Sequence, residues 1–168
     1  MLVLGVDPGT RVTGYGLVRY EGNKLECVEF GVVKNSATLS SEECYARIYE
    51  GIDELMKSYA VDCVAVESQF FAKNAHTALK IGEARCAAIM PAALRRIPIR
   101  EYAPMRVKKA VVGIGSATKE QVQTMVVRML QIKDTKMFKD ASDALAIAIT
   151  HVHAKEYSDL LTPAGNKS

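Results

Sequence analysis

Four carboxylate side chains stand at positions where they could bind metal ions. Asp7 and Glu67 each follow a short apolar run, and Asp140 and Asp143 lie three residues apart near the start of a predicted helix. An i, i+3 pair points along one helical face, so both helix carboxylates could converge on the strand ends. A cluster of oxygen ligands suits Mg²⁺ or Mn²⁺. Without a cation, four neighbouring carboxylates would repel one another and take up protons.

Such a cluster could catalyse the hydrolysis of a phosphodiester. Two divalent ions about 4 Å apart could activate water on one side and stabilise the leaving oxygen on the other. The residues also have ordinary structural interpretations, since Asp140 could cap a helix, Asp143 could favour its first turn and Asp7 could belong to a Pro-Gly turn. Glu67 has no comparable local explanation, because it directly follows a predicted buried strand. Spacing alone leaves both interpretations open.

A second candidate is the glycine-containing segment 113–119, which precedes a predicted helix. Its glycines permit a close backbone approach, and a helix N-terminus offers free N–H groups to a phosphate. A bound phosphate would also offset the unfavourable position of Lys119 in the first turn. The segment lacks the ending of a Walker A loop. A glycine turn followed by capping from Thr118 and Gln121 explains the pattern equally well.

Basic and aromatic residues accompany these candidates. Phe70 and Phe71 follow Glu67 and could stack on unpaired bases, although one could equally belong to the core while the other forms a lid. His151 and His153 are spaced like a metal-binding pair, but near a helix end histidine is more simply a partner of the helix dipole. The basic residues that could contact nucleic acid are Arg11, Lys73, Lys80, Lys108, Lys109 and Lys119.

The elements that must position these residues begin with a hairpin and continue with alternating strands and helices. This order predicts one α/β domain, a five-stranded mixed sheet flanked by helices on both faces. Strands are predicted at about residues 2–6, 13–20, 25–34, 63–66 and 97–102, and helices at about 40–59, 74–95, 104–109, 116–131 and 139–154. Pro91 should kink the second helix or start a new turn. The domain is expected to span residues 1–156, with 157–168 as a polar, flexible tail.

The composition excludes several classes of protein. With 168 residues, 49% hydrophobic and 24% charged, the chain is too apolar for disorder and long enough for one core. No apolar run approaches the roughly 20 residues that span a bilayer, and the N-terminus lacks the features of a signal peptide. The cysteines are too scattered for a zinc or redox motif. We therefore expect a cytoplasmic protein with reduced thiols and no membrane partner.

The net charge of +3 conceals an uneven distribution. Removing the four candidate carboxylates from the 19 acidic residues leaves 15 against 22 basic residues, which gives the rest of the chain a charge of +7. A basic surface around a small acidic site predicts salt-sensitive binding to a phosphate backbone.

Four longer stretches follow one another across about residues 1–153: GVDPGTRVTGYG (5–16), VESQFFAKN (66–74), VKKAVVGIGSATKEQVQ (107–123) and DASDALAIAITH (140–151). Together they resemble the RuvC family of Holliday junction resolvases. The resemblance implies a ribonuclease-H-like fold, a homodimer, and Mg²⁺-dependent, symmetric endonuclease cleavage of four-way DNA junctions in recombination and repair. It also implies two Mg²⁺ ions per subunit, with Mn²⁺ as a substitute, and a branch-migration complex of RuvA and RuvB as partner.

By the same resemblance, the four acids match the metal-binding catalytic residues of the family: Asp7, Glu67, Asp140 and Asp143. Lys108 and Lys119 match basic residues near the scissile phosphate, and Lys119 is counted among the catalytic residues. Phe70 matches an aromatic residue that packs into the junction.

Two other functional classes are alternatives. A non-catalytic junction-binding protein would use the acids only as structural residues. An actin- or Hsp70-like ATPase would use residues 5–10 as its first phosphate loop. Size argues against the ATPase, because such enzymes enclose nucleotide between two lobes and 168 residues supply only one.

Overall fold

The structure is a computed structural model that describes residues 1–68, 75–133 and 139–161. Its strands are β1 (Leu2–Asp7), β2 (Val12–Glu21), β3 (Lys24–Lys34), β4 (Cys63–Glu67) and β5 (Ile99–Tyr102). Its helices are α1 (Ser41–Ser58), α2 (Ala75–Leu94), α3 (Pro104–Val112), α4 (Lys119–Met129) and α5 (Lys139–Leu161). All the predicted strands and helices are present, with shifts at their ends.

The five strands form one mixed sheet in the order β3-β2-β1-β4-β5. β2 pairs antiparallel with β1 and β3, whereas β4 pairs parallel with β1 and β5. Gly22 and Asn23 connect β2 to β3 with φ angles of 55° and 62°, and two consecutive positive φ angles are typical of the turn that suits a two-residue hairpin. The predicted hairpin and the predicted mixed sheet are confirmed.

Helices cover both faces of the sheet because successive side chains of the buried strands point to opposite sides. On one face, Val3 and Val18 pack in a core with residues of α3, α4 and α5. On the other, Leu4 and Leu17 pack with residues of α1 and α2. The central strand β1 is therefore apolar on both faces, which explains its short continuous apolar run.

Helix α5 lies against the sheet at two positions that have no side chain. A Cβ atom on Gly5 would overlap the backbone oxygen of Ala144, and one on Gly14 would overlap the backbone oxygen of Asp140. Since overlap with backbone cannot be relieved by a side-chain rotation, glycine is required at both positions for this approach. The start of α5 is thereby held directly over β1 and β2.

Helix α2 continues through Pro91, so no new turn begins there. Proline removes one backbone hydrogen bond of the helix, but side-chain contacts stabilise the last turn of α2. The Arg95 guanidinium donates to the Pro91 carbonyl at 3.1 Å and pairs with the buried Asp53 carboxylate of α1 at 2.6 Å. These contacts attach the end of α2 to α1.

Helix α5 continues to Leu161, seven residues past its predicted end at about 154. Residues 157–161 are therefore helical, although their polar composition predicted a flexible tail. One physical reason is a hydrogen bond from the Tyr20 hydroxyl of β2 to the Glu156 carboxylate, which holds this part of α5 to the sheet. Residues 162–168 lie outside the described residues, and the limits of the domain remain a prediction.

Candidate active site

Two of the predicted carboxylates emerge side by side from the sheet. Val6 of β1 and Val66 of β4 are paired in the parallel register, so the next residues, Asp7 and Glu67, leave the same edge together. The turn after Asp7 is held by the buried Thr13 hydroxyl, which donates to the Gly9 carbonyl at 2.8 Å. The strand register and this turn together fix where the two carboxylates begin.

The other two carboxylates reach this edge through α5. Gly14 is the antiparallel partner of Asp7, and the backbone of Asp140 lies directly over Gly14. The first turn of α5 is therefore placed next to Asp7, and Asp143 follows three residues later on the same helical face.

A single cleft contains most of the predicted site. Its lining residues are Asp7, Glu67, Pro104, Val107, Lys108, Lys119, Val122, Asp143, Ala146 and Ile147. Three of the four predicted acids and both predicted active-site lysines lie in it. Asp140 lies outside this lining, although its charge still acts on Asp7.

The electrostatics of the cleft centre on Asp7. Burial, followed by the charges of Asp143 and Glu67, raises the pKa of Asp7 from 3.8 to about 7; Lys119 opposes this rise and Asp140 adds to it. Burial and the charge of Asp143 also raise the pKa of Glu67, against the opposing charges of Lys119 and Lys108. Asp7 and Glu67 are thus buried and crowded enough to hold protons to a higher pH than exposed, isolated carboxylates do.

Lys119 forms an ion pair with this cluster. Its Nζ lies 2.7 Å from Asp143 Oδ2, and this hydrogen bond raises the pKa of Lys119. The predicted capping box is confirmed, since the Thr118 hydroxyl accepts from the Gln121 backbone and the Gln121 side chain accepts from the Thr118 backbone. The cap fixes the start of α4 and thereby places Lys119 at the cleft.

The carboxylates of the cleft are suitable ligands for a divalent cation, but their side chains are not placed to coordinate one as they stand. In the ranges that the structure describes, no three side chains of His, Cys, Asp or Glu are placed so that they could hold a metal ion as they stand. Burial first, and then the neighbouring carboxylates, raise the pKa of Asp7, so a cation bound beside it would stabilise its ionised form. An oxygen-only donor set of this kind fits Mg²⁺ or Mn²⁺.

The outer basic residues differ in their positions. The Arg11 guanidinium donates to the backbone oxygens of Ser36 at 2.6 Å and Ala37 at 3.4 Å, so it supports the connection between β3 and α1. The backbone oxygen of Lys80 accepts from the Thr10 hydroxyl, which brings α2 close to the turn after Asp7. Lys109 is exposed on α3. The predicted DNA-contacting residues Phe70 and Lys73, together with Phe71, lie outside the described residues.

The two histidines do not form a metal site. His151 Nδ1 lies 2.7 Å from the Tyr102 hydroxyl, and His153 Nδ1 lies 3.2 Å from the backbone oxygen of Ala110. Sequence reasoning also gave no role to Gly5 and Gly14, on which the position of α5 depends. The signal was present, because glycine interrupts two strands that otherwise consist largely of apolar and β-branched residues.

Acids at the ends of two parallel strands and at the start of a covering helix, on a five-stranded mixed sheet, define the ribonuclease-H-like class of nuclease folds. The family described as "Crossover junction endodeoxyribonuclease RuvC" matches residues 3–151. The chain therefore belongs to the RuvC family of crossover junction endodeoxyribonucleases. Family membership implies a general dependence on divalent metal ions.

Individual relatives agree with this assignment. The chain is 41% identical over 160 residues to the RuvC endonuclease of Alkaliphilus metalliredigens, covering 95% of this chain and 98% of that protein. The solved structure of Thermus thermophilus RuvC has a TM-score of 0.85 at 36% identity, covering 94% and 97% of the two chains. A second structure, of T. thermophilus RuvC in complex with a Holliday junction substrate, has a TM-score of 0.84 at 34% identity, covering 94% and 96%.

These comparisons confirm the predicted family and fold, and they do not favour the junction-binding or ATPase alternatives. Among the described helices, none has the length and apolar character needed to cross a bilayer.

Proposed function

We propose that this chain hydrolyses phosphodiester bonds of four-way DNA junctions in the cleft that contains Asp7, Glu67 and Asp143. The observation that carries the proposal is the convergence of three carboxylates in one cleft where β1, β4 and α5 meet, and burial and these neighbours raise the pKa of Asp7 to about 7. A buried carboxylate among other carboxylates is unfavourable unless a cation is part of the working site. The lysines on the same cleft supply the complementary charge for a phosphate.

The residues that would hold two Mg²⁺ ions, or Mn²⁺ in their place, are Asp7, Glu67, Asp140 and Asp143. Asp7 lies centrally, since the other three carboxylates all contribute to its pKa, and it would therefore be shared between the two ions. When bound, the ions would supply an activated water and stabilise the charge on the leaving oxygen. The four carboxylates would serve to hold these charges at a fixed position on the sheet.

Lys119 would change partners during the reaction. Without substrate it pairs with Asp143. With the carboxylates neutralised by cations, the lysine would be free to contact a phosphate oxygen at the cleft. Lys108 lines the same cleft and would contact the DNA backbone nearby. Arg11, Phe70, Lys73, Lys80 and Lys109 would provide outer contacts to the junction.

A homodimer would place two such clefts on one junction and allow symmetric cleavage. The support lies on α2, where exposed apolar residues recur along one helix at spacings that include seven and four: Leu79, Cys86, Met90 and Leu94. Large apolar side chains in such an array are costly to leave in water. We expect Met90→Glu to convert a dimer into a monomer in light-scattering measurements, whereas a wild-type protein that is monomeric would exclude this arrangement.

The same proposal includes the cellular setting. Junctions would be delivered by a branch-migration complex of RuvA and RuvB, and the four free cysteines fit the reducing cytoplasm.

The test is cleavage of a synthetic mobile four-way junction with Mg²⁺ and with EDTA, alongside linear duplex of the same sequence. We expect symmetric cuts in the junction with Mg²⁺ only. Asp7→Asn should abolish cutting, while Glu50→Gln, a matched change on the exposed surface of α1, should not. Equal cleavage of the linear duplex, or cleavage that persists in EDTA or in Asp7→Asn, would contradict the proposal.

A further inference from the structure

A buried hydrogen bond outside the cleft joins strand β5 to helix α5. Strand β5 pairs with β4, which ends at Glu67, and helix α5 carries Asp143. The Tyr102 hydroxyl of β5 lies 2.7 Å from His151 Nδ1 of α5, although the residues are 49 positions apart in the chain. Only 6% of Tyr102 and 8% of His151 are exposed. Their ring centroids are 6.0 Å apart, and the Arg106 guanidinium lies over the tyrosine ring at 5.2 Å.

Both members of the pair are neutral near pH 7. Burial raises the pKa of the Tyr102 hydroxyl, which therefore keeps its proton. Burial, together with the charges of Arg100 and Lys155, lowers the pKa of His151 and favours the neutral imidazole. The hydrogen bond therefore joins two neutral groups, and its direction follows the imidazole tautomer: the hydroxyl donates when the ring proton is on Nε2 and accepts when it is on Nδ1.

Tyr102 is coupled to Glu67 through the backbone of the sheet. The two residues are direct partners in the parallel register of β4 and β5. The Ser68 backbone N–H, next to Glu67, donates to the Tyr102 carbonyl at 2.9 Å. A shift of Tyr102 would therefore move the end of β4 from which the Glu67 side chain extends.

His151 is coupled to Asp143 through α5. Asp143, Ile147 and His151 are spaced by four residues and lie on the same side of the helix. Asp143 and Ile147 both line the cleft, so this side of α5 extends from the cleft to the hydrogen bond at His151. A rotation or shift of α5 at His151 would be transmitted along two helical turns to Asp143.

We propose that Tyr102 and His151 are a positioning pair that sets the separation of Glu67 and Asp143. The inference rests on the proposed role of these carboxylates as metal ligands. Apolar contacts between α5 and the sheet are not directional, whereas a hydrogen bond has a required length and angle. The pair would limit how far the helix and the β4-β5 edge can slide, and so how closely the two carboxylates can approach one ion. Neither residue touches the substrate.

The test is the affinity for Mn²⁺ and Mg²⁺, measured by calorimetry without DNA, together with cleavage rates and thermal unfolding. Tyr102→Phe removes the hydroxyl and keeps the ring, so we expect metal affinity to fall tenfold or more, in the range typical of residues that orient ligands. The matched control is Tyr20→Phe, which removes another tyrosine hydrogen bond to α5, at Glu156 and away from the cleft. The control should bind metal like the wild type.

Rescue separates positioning from general stability. His151→Asn places a carbonyl oxygen near the position of Nδ1 and can accept the same hydrogen bond, so it should retain most of the metal affinity. His151→Leu cannot accept it and should match Tyr102→Phe. Wild-type metal affinity in Tyr102→Phe, with only a lower unfolding temperature, would overturn the positioning role. If the wild type itself bound no metal, the proposed metal site would fail first, and this inference with it.

Discussion

The crowding of carboxylates at Asp7 predicts that removing its charge stabilises the protein when no divalent cation is present. The pKa of Asp7 rises from 3.8 to about 7 because of burial and the charges of Asp143 and Glu67. Each factor of ten in proton affinity corresponds to about 1.4 kcal/mol, so ionising Asp7 in the folded state costs up to ~4 kcal/mol. Asparagine has nearly the same shape and no charge. We expect Asp7→Asn to raise the free energy of unfolding by about 2–4 kcal/mol at pH 8 in EDTA.

The pH dependence follows from the direction of the pKa change. Between pH 4 and 7 the folded state keeps a proton on Asp7 that the unfolded state has lost, so wild-type stability falls as the pH rises through this window. At pH 5 most of the cost is absent, and the advantage of Asp7→Asn should shrink to below about 2 kcal/mol. Above pH 7 the advantage should be constant.

Urea unfolding at pH 5 and pH 8, in EDTA and then in Mg²⁺, measures these differences. Mg²⁺ should stabilise the wild type by mass action and have little effect on Asp7→Asn. The control variant Glu50→Gln alters an exposed glutamate on α1 and should change neither the stability nor its response to Mg²⁺. If Asp7→Asn were no more stable than the wild type at pH 8 in EDTA, the crowding argument would be wrong.

Three further outcomes are expected. Lys119→Met removes the cation paired with Asp143, so calorimetry should show tighter Mg²⁺ binding while single-turnover cleavage falls by about 100-fold; weaker Mg²⁺ binding would contradict the ion-pair argument. Gly14→Ala forces a Cβ into the Asp140 carbonyl. In urea unfolding it should lower the free energy of unfolding by about 1–3 kcal/mol, and it should also reduce cleavage. Wild-type stability and cleavage in this variant would mean that α5 is not held at this glycine. Lys108→Gln should lower the slope of junction affinity against salt concentration by about one, as measured by fluorescence anisotropy, and an unchanged slope would show that Lys108 contacts no phosphate.

The carboxylates could be located from sequence because their positions follow from local rules. A short apolar run that ends at a turn signal is typical of a buried strand, so an acid directly after it is expected at a sheet edge. The i, i+3 spacing of Asp140 and Asp143 likewise fixes their relative direction on a helix. Pairing of the strands then brings Asp7 and Glu67 together. The first two steps need only the period of the element, whereas the pairing of β1 with β4 joins residues 60 positions apart and is seen only in the fold.

Other features depend on contacts between elements that are distant in sequence, and local patterns do not reveal them. The approach of α5 to Gly5 and Gly14 depends on which helix crosses which strands. The extension of α5 includes a hydrogen bond between Tyr20 and Glu156, which are 136 positions apart in the chain. His151 was recognised only as a residue tolerated near a helix end, because its partner lies 49 positions away.

The close packing of α5 on Gly5 and Gly14 also determines which positions of this protein tolerate substitution. At Gly5 and Gly14 the helix meets the strands through main-chain atoms, so the position of its first turn is set by atoms that every amino acid shares. Substitutions among the larger apolar residues of the two cores can then accumulate, in evolution or in the laboratory, without displacing the carboxylates. A search for thermostable variants should therefore keep these two glycines, together with Tyr102 and His151, and vary the apolar interior around them.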